Sequence, residues 1–441
     1  MTIGERLDSL PLRPFHWKLA AASGLGWLFD AMDSGLVSFV LAVLAKEWAL
    51  EARQIGWVGS VGMAGMFFGA IASGMLADRY GRKNLFMATL ALFSVATGLC
   101  GLAGGLASLL VLRFWVGFGL GGELPVASAL VSEFSPKSHR GKLVVFLESF
   151  WALGWAVAAV VAFLLIPRLD PSIGWRAAFF LGSLPALYTL YLRSSVPESP
   201  RFLANAGRWE EAKAVVRRVE EACGEPHAAL EPSPAQAAGA SVTQSFLALW
   251  LGESFKRTLM LWVLWFVMVY SYYGIFIWLP SILVAGGHTV VKTFGYVLII
   301  TAAQIPGYFS AALLVDRFGR KPVLIAYMLG CAASCWGFGS LAGTPASIMA
   351  WGSLISFFNL GAWGVVYTYT PEIYPTEVRA TGCGWAVGFG RVGGILAPFV
   401  VGAIMGIKRP DLVFGHMAAL VVLGLVVVAL LGEETKGRSL A

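Results

Sequence analysis

The pattern of Gly74-Met-Leu-Ala-Asp78-Arg79-Tyr-Gly81-Arg82-Lys83 is met twice in this chain. It returns 238 residues later as Leu314-Val-Asp316-Arg317-Phe-Gly319-Arg320-Lys321. A second pair of anchors keeps nearly the same spacing. Ser132-Glu133-Phe-Ser-Pro136, with Arg140-Gly141 beyond, answers Pro371-Glu372-Ile-Tyr-Pro375 and Arg379-Ala-Thr-Gly382, and both Glu and Arg recur at offset 239. Basic loops alone would be no more than membrane anchors. That reading leaves unexplained why each loop also carries an acid and a glycine at matching places. The coincidences describe one unit repeated, each copy with a charge network at the same end of its helices. Asp78 and Asp316 can accept hydrogen bonds from neighbouring arginines or helix N-termini, and the glycines allow tight turns. Asp78 is expected to meet Arg140, and Asp316 to meet Arg379. Arg79, Arg82, Glu133, Arg317, Arg320 and Glu372 complete the network.

The runs on either side of these loops are long and apolar. A membrane-spanning helix needs about 20 mainly apolar residues. Twelve such spans are read at 17–44, 54–77, 84–104, 107–131, 141–166, 175–195, 258–284, 294–315, 323–342, 347–370, 380–406 and 412–432. The composition agrees. The 441 residues are 58% hydrophobic and 13% charged, with a mean hydropathy of +0.73. About 25% charged is usual for soluble domains. A soluble fold of this length could not hide that much apolar surface. The fold class expected is an all-α membrane protein of twelve helices in two pseudo-symmetric six-helix halves, 17–195 and 258–432. Between them lies a polar linker, 196–257, in which Trp209, Ala212, Val216, Val219 and Cys223 fall at helical spacing, as in an amphipathic helix lying on the membrane surface.

Lys and Arg set the orientation. With each span's end residues counted in the adjoining loop, 23 of the 32 fall on the side of the N-terminus and 7 on the other, while Arg113 and Arg391 lie within spans. This places the short termini, 1–16 and 433–441, in the cytoplasm of a cell whose plasma membrane holds the chain. No signal-peptide cleavage pattern follows the first 16 residues. The net charge of +7 sits in short clusters between apolar runs, not in a nucleic-acid-binding domain. The five cysteines, Cys100, Cys223, Cys331, Cys335 and Cys383, have no zinc or disulfide spacing.

With these residues in hand, the chain resembles the major facilitator superfamily, especially its sugar-porter-like branch. The likeness rests on GMLADRYGRK, LVDRFGRK, Arg113-x-x-x-Gly117-x-Gly119, Pro197-Glu-Ser-Pro-Arg201 and PEIYPTEVRATG. It implies a carrier whose substrate binds at the midplane between related halves.

Ionisable groups inside a bilayer are costly and usually functional. Asp30 and Asp33 share one face of span 1 at i, i+3 spacing. Two close acids in a low dielectric do not both ionise easily, which suits a proton carrier. Pairing with Arg113 is the alternative for one of them. Glu123, in span 4, is a further proton-carrying candidate. Glu148, in span 5, either titrates or serves the charge network. Arg391, near mid-span between Gly390 and Gly393, either receives a substrate carboxylate with its fork or pairs with an acid such as Glu123. Trp151, Trp155, Tyr270, Tyr273, Gln304, Asn359 and Trp363 lie too deep for an interfacial belt, and are read as a stacking and hydrogen-bonding cage for a flat ring.

The resemblance tightens over GWLFDAMDSG, GLGGELPVASALVSE, LESFWALGW, YSYYGIFIWLPS, AAQIPGYFSA and FFNLGAWGVVYTYTPEIYPT. These look like the bacterial niacin transporter group, related to proton symporters for aromatic acids. The Asp-x-x-Asp of span 1 matches those symporters, but Phe29-Asp30 lacks the Gly that follows in them, which argues against simple transfer of a benzoate-type substrate. The resemblance implies nicotinate as cargo, a proton as co-substrate, and a monomer without cofactor, metal or nucleic-acid partner. Arg391 would take the carboxylate, the tryptophans and tyrosines the ring faces, and Gln304 or Asn359 the ring nitrogen. A sugar or polyol porter would favour amides and hydroxyls without needing Arg391. A membrane sensor of the same fold would need a signalling domain. An enzyme is the least favoured alternative, since no P-loop, metal cluster or nucleophile triad is read in the sequence.

Overall fold

A computed structural model of the chain describes residues 1–137, 139–231, 246–252, 254–374 and 379–436. The side chains of Asp78, Arg79 and Asp316 lie outside the described set, so the expected pairs Asp78–Arg140 and Asp316–Arg379 lie outside it too. Among the described residues all regular structure is helical. Before the first long span comes a short helix, α1 (Ile3–Ser9). The next five spans are α2 (Pro14–Glu47), α3 (Ala52–Tyr80), α4 (Arg82–Cys100), α5 (Leu106–Phe134) and α6 (Arg140–Leu165). The sixth is broken into α7 (Pro171–Gly182) and α8 (Pro185–Ser195), followed by α9 (Pro200–Asn205) and α10 (Trp209–Cys223). Span 7 is α11 (Ser254–Phe276) with α12 (Leu279–Ala285), and span 8 is α13 (Val290–Ala302) with α14 (Gln304–Phe318). The last four are α15 (Arg320–Leu341), α16 (Pro345–Ile373), α17 (Arg379–Gly406) and α18 (Pro410–Leu431). Eleven described stretches are long and apolar enough to cross a membrane. The twelfth is the divided α7–α8 segment. The breaks fall beside proline, which has no N–H to continue a helix and fits its first turn: Pro185 opens α8, and Pro280 lies in the first turn of α12.

The helices pack into two compact units. The first contains residues 1–33, 64–154 and 179–239, and the second residues 34–63, 155–178 and 240–441. Each shows the same close crossing. In the first, Gly69 of α3 lies against the carbonyl of Phe118 in α5, so near that a Cβ would collide with it. In the second, Gly307 of α14 meets the carbonyl of Phe357 in α16 in the same way. The two glycines are 238 residues apart and the two carbonyls 239. The repeat legible in the loops therefore also sets how helix backbones approach. Between apolar helices in lipid, such small-residue contacts supply much of the packing attraction.

The amphipathic segment of the linker turns its apolar stripe to protein. Helix α10 buries Ala212, Val216, Val219 and Cys223, and it packs against α9 and α1. Arg6 of α1 ties it down through Glu220, with Arg6 Nε 2.6 Å from Oε1. The apolar stripe that a lipid surface would have covered is covered by the chain itself.

Candidate functional site

The first unit concentrates its intramembrane charge on one stripe of α2. Gly26, Asp30 and Asp33 follow at i, i+4 and i+7, which places them on one helix face. Both aspartates are fully buried. Asp33 meets Arg113 of α5 as a fork: Nη2 stands 2.5 Å from Oδ2 and Nη1 3.3 Å from Oδ1. The hydroxyl of Thr97 donates to Oδ1 at 2.7 Å. Arg113 also lies over the ring of Phe179, 5.9 Å from its centroid. Arg113 is thus the partner of a span 1 acid, as one of the sequence readings has it.

One turn away the charges are of one sign. Glu123 of α5 is fully buried and rests against the Cα of Gly26, where a Cβ would strike its Oε1. Its carboxyl faces that of Asp30 within hydrogen-bonding reach. Neither carboxylate can donate, so a bond between them requires a proton on one. No donor of normal geometry reaches either oxygen of Glu123 among the described residues. Glu148 of α6, 5% exposed, has the indole of Trp27 beside it. Trp27 packs on Trp151, ring centroids 4.6 Å apart. Glu148 forms no ion pair among the described residues, and so takes no part in their loop charge network.

The second unit carries the remaining candidates. Arg391 of α17 makes no hydrogen bond or ion pair with any described residue. Gln304 is fully buried at the start of α14, and neither its amide nitrogen nor its oxygen finds a partner among the described residues. Asn359 is engaged on its donor side, with Nδ2 3.3 Å from Ser271 Oγ and 3.7 Å from Cys331 Sγ, while its Oδ1 is unpartnered among the described residues. Trp155 and Trp363 are joined through Tyr272, at centroid distances of 5.9 and 6.4 Å, and Tyr273 packs edge-on to Tyr272 at 5.3 Å. Tyr270 departs from this group: its hydroxyl lies 2.9 Å from His416 Nε2 of α18. Trp151 belongs with Trp27 in the first unit.

The loop network is more regular than the sequence reading has it. Arg82 Nε meets Glu133 Oε1 at 2.9 Å, and Arg320 Nε meets Glu372 Oε2 at 2.9 Å. Each pair is braced by an acid to which the sequence reading gives no role, although the first lies in the quoted Pro197-Glu-Ser-Pro-Arg201. Glu198 accepts from the backbone N–H of Arg82 and Lys83 at 3.0 and 3.1 Å, and Glu434 accepts from Arg320 and Lys321 at 3.0 Å each. Both carboxylates therefore cap a helix N-terminus, where its dipole favours negative charge. The preceding Gly81 and Gly319 take φ of 92° and 96°, a region that suits glycine. Ser199 and Thr435 add hydroxyl bonds to Glu133 and Glu372. The signal for these residues was an acid followed by a hydroxyl, Glu198-Ser199 and Glu434-Thr435, at offset 236. Arg140 donates to Asp8 at 2.6 Å and to the Ser132 carbonyl at 3.0 Å, and Arg379 to the Tyr374 carbonyl at 3.2 Å. Arg317 is exposed, and its carbonyl accepts from Lys436 Nζ at 2.8 Å.

Twelve apolar helices, a duplicated loop network and polar groups buried at mid-span are the build of a small-molecule membrane transporter, not of an enzyme. The sugar (and other) transporter family profile matches residues 29–441, and the chain belongs to that family, within the major facilitator superfamily. The niacin transporter NiaP of Acinetobacter baylyi is 48% identical over 441 residues, which span 100% of this chain and 99% of that one. A Bacillus subtilis protein provisionally named a niacin/nicotinamide transporter is 42% identical over 428 residues, 96% of this chain and 97% of its own. Among solved structures, the xylose transporter XylE from E. coli in a partially occluded inward open conformation superposes with a TM-score of 0.75. That likeness covers 97% of this chain and 100% of the other at 18% identity, and so speaks for the fold alone.

Proposed function

We propose that this chain imports niacin, as nicotinate, by proton-coupled alternating access across a bacterial cytoplasmic membrane. It would act as a monomer with both termini in the cytoplasm. The observation that carries the reading is the 48% identity, over the whole chain, to a relative named a niacin transporter. The side chains are consistent with it. Arg391 is a guanidinium without a described partner, and its fork matches a carboxylate. The aromatic group around Tyr272 offers ring faces, and the buried acids Asp30, Asp33, Glu123 and Glu148 are the candidates for the coupled proton. The two six-helix halves, 17–195 and 258–432, would rock about the substrate, with 196–257 as their connection. The repeated network around Arg82 and Arg320 would bias that equilibrium, not create it.

Proteoliposomes holding the purified protein are expected to accumulate labelled nicotinate under an imposed inward proton gradient. Unlabelled nicotinate should compete and glucose should not. Glucose uptake with indifference to nicotinate would remove this reading. Nicotinate uptake that ignores the pH gradient would remove the proton coupling alone.

A further inference from the structure

The spans of the first unit hold an unbalanced set of charges. Asp30, Asp33, Glu123 and Glu148 are all buried, and the buried base available to them among the described residues is Arg113. Arg113 is committed to Asp33. A carboxylate in a low dielectric must be protonated or meet a cation. Asp30 and Glu123 face one another and can share one proton. Glu148 faces no such acid among the described residues.

What lies beside Glu148 is aromatic and incompletely bonded. The Trp27 indole N–H reaches toward its carboxyl, but the buried Nε1 has no hydrogen bond of normal geometry among the described residues. Trp27 is 5% exposed. Trp151 stands one turn along α6 from Glu148 at i+3, on the same helix face, and its ring packs on Trp27. A carboxylate beside a packed pair of indoles suits a flat cation. The ring quadrupoles attract the positive charge, and the carboxylate accepts its N–H. A neutral pyridine nitrogen has the opposite need, a donor. Asn359 has already given its N–H groups to Ser271 and Cys331.

We propose that Glu148, with the Trp27–Trp151 pair beside it, is the subsite for the substrate's ring nitrogen, bound in its protonated pyridinium form. The inference rests on the reading of nicotinate as cargo. The atoms balance simply: nicotinate and one proton from solvent give the neutral zwitterion, whose N–H donates to the Glu148 carboxylate. A benzoate, with C–H in place of N–H, offers the Glu148 carboxylate no donor.

Two measurements on the purified full-length protein test this. The first is competition against labelled nicotinate. Benzoate is expected to bind about 10- to 100-fold more weakly than nicotinate to the parent protein, the range for losing a bond to a charged group. In Glu148→Gln that ratio should collapse to within about threefold, because nicotinate weakens while benzoate does not. An undiminished ratio in a variant that still binds benzoate overturns the proposal. The second needs no variant. Bound 15N-nicotinate, at a pH where the free ligand is an unprotonated pyridine, should show a pyridinium nitrogen resonance by solid-state NMR. An unprotonated resonance overturns the proposal and would direct attention to the amide of Gln304. The two readings fail separately: tight nicotinate binding with an unprotonated nitrogen leaves nicotinate transport standing, whereas no nicotinate binding by the parent protein removes both.

Discussion

Replacing Glu434 by Ala isolates the work of one cap. Its carboxylate accepts four backbone N–H groups: Arg320 and Lys321 at 3.0 Å each, Thr435 at 2.9 Å and Lys436 at 2.8 Å. The last two are local to its own turn. Only the first two tie the segment after α18 to the N-terminus of α15. Hydrogen bonds to charged groups are worth about 1.5–3 kcal/mol each. Glu434 is only partly buried, which argues for about 1 kcal/mol per tie and about 2 kcal/mol in all. Native-state hydrogen exchange in nanodiscs reads this directly. Two kcal/mol of lost local stability corresponds to about 30-fold faster exchange, at a factor of ten per 1.4 kcal/mol. The acceleration should be confined to the Arg320 and Lys321 amides and the turn of residues 432–436, and should spare the middle of α15. Glu198→Ala is expected to do the same at Arg82 and Lys83, since its carboxylate stands in the equivalent place. Exchange at Arg320 and Lys321 within about threefold of the parent protein would refute the reasoning, because their N–H groups would then be held by something else.

Other perturbations follow from the same contacts. Burial would raise the Glu220 carboxyl, but Arg6, His227 and the Ala228 N–H outweigh it and hold it below its ordinary 4.5. A depressed acid stabilises above its unfolded pKa and loses that contribution as pH falls through the folded value. The docking of α1 on α10 should therefore loosen only in acid, seen as protease access to residues 3–9 below about pH 4.5 and none on raising the pH from there to 7; loosening on alkalinisation would contradict it. Asp33→Asn leaves the buried Arg113 without its counter-charge at a cost of about 3–5 kcal/mol, so thermostability in detergent should drop. The double variant Asp33→Asn/Arg113→Gln should recover much of it, and no recovery would show that the pair is not the cause. Arg391→Lys should weaken nicotinate binding more than nicotinamide binding, since a point charge lacks the fork. Equal losses for the two ligands would mean that Arg391 does not meet the carboxylate.

Much of the scaffold was legible because repetition leaves traces at several levels. The DR-x-GRK loops announced the repeat, and the twelve apolar runs announced the spans. The breaks inside spans 6, 7 and 8 were blurred by hydropathy, which sees Pro185 and Pro280 only as tolerated residues within an apolar run. The lie of α10 was misread because its stripe of Ala212, Val216, Val219 and Cys223 looks the same whether lipid or protein covers it. Arg6 and Glu220, 214 residues apart, decide between the two, and nothing local in the sequence joins them. The caps Glu198 and Glu434 were hidden for a related reason. An acid 116 or 114 residues along the chain from the N-terminus it serves has no periodicity to betray it, only its recurrence in the second copy.

The candidate site is illegible to that same logic, because it lies where the copies differ. At offset 239, Glu123 answers Ala362, Arg113 answers Gly352 and Glu148 answers Val387. Arg391 in turn answers Ala152. The shared positions are glycines that let backbones meet and charges that fasten loops, so they report on the carrier fold whatever it carries. The unshared ones are ionisable groups whose burial costs several kcal/mol each unless something compensates them. A chain keeps that cost in one copy and not the other only where the compensation is asymmetric. Among the described residues, Glu123 and Glu148 of the first unit meet no cation, and Arg391 of the second meets no acid. That asymmetry is what the proposal of a charged cargo, and not a sugar, rests on.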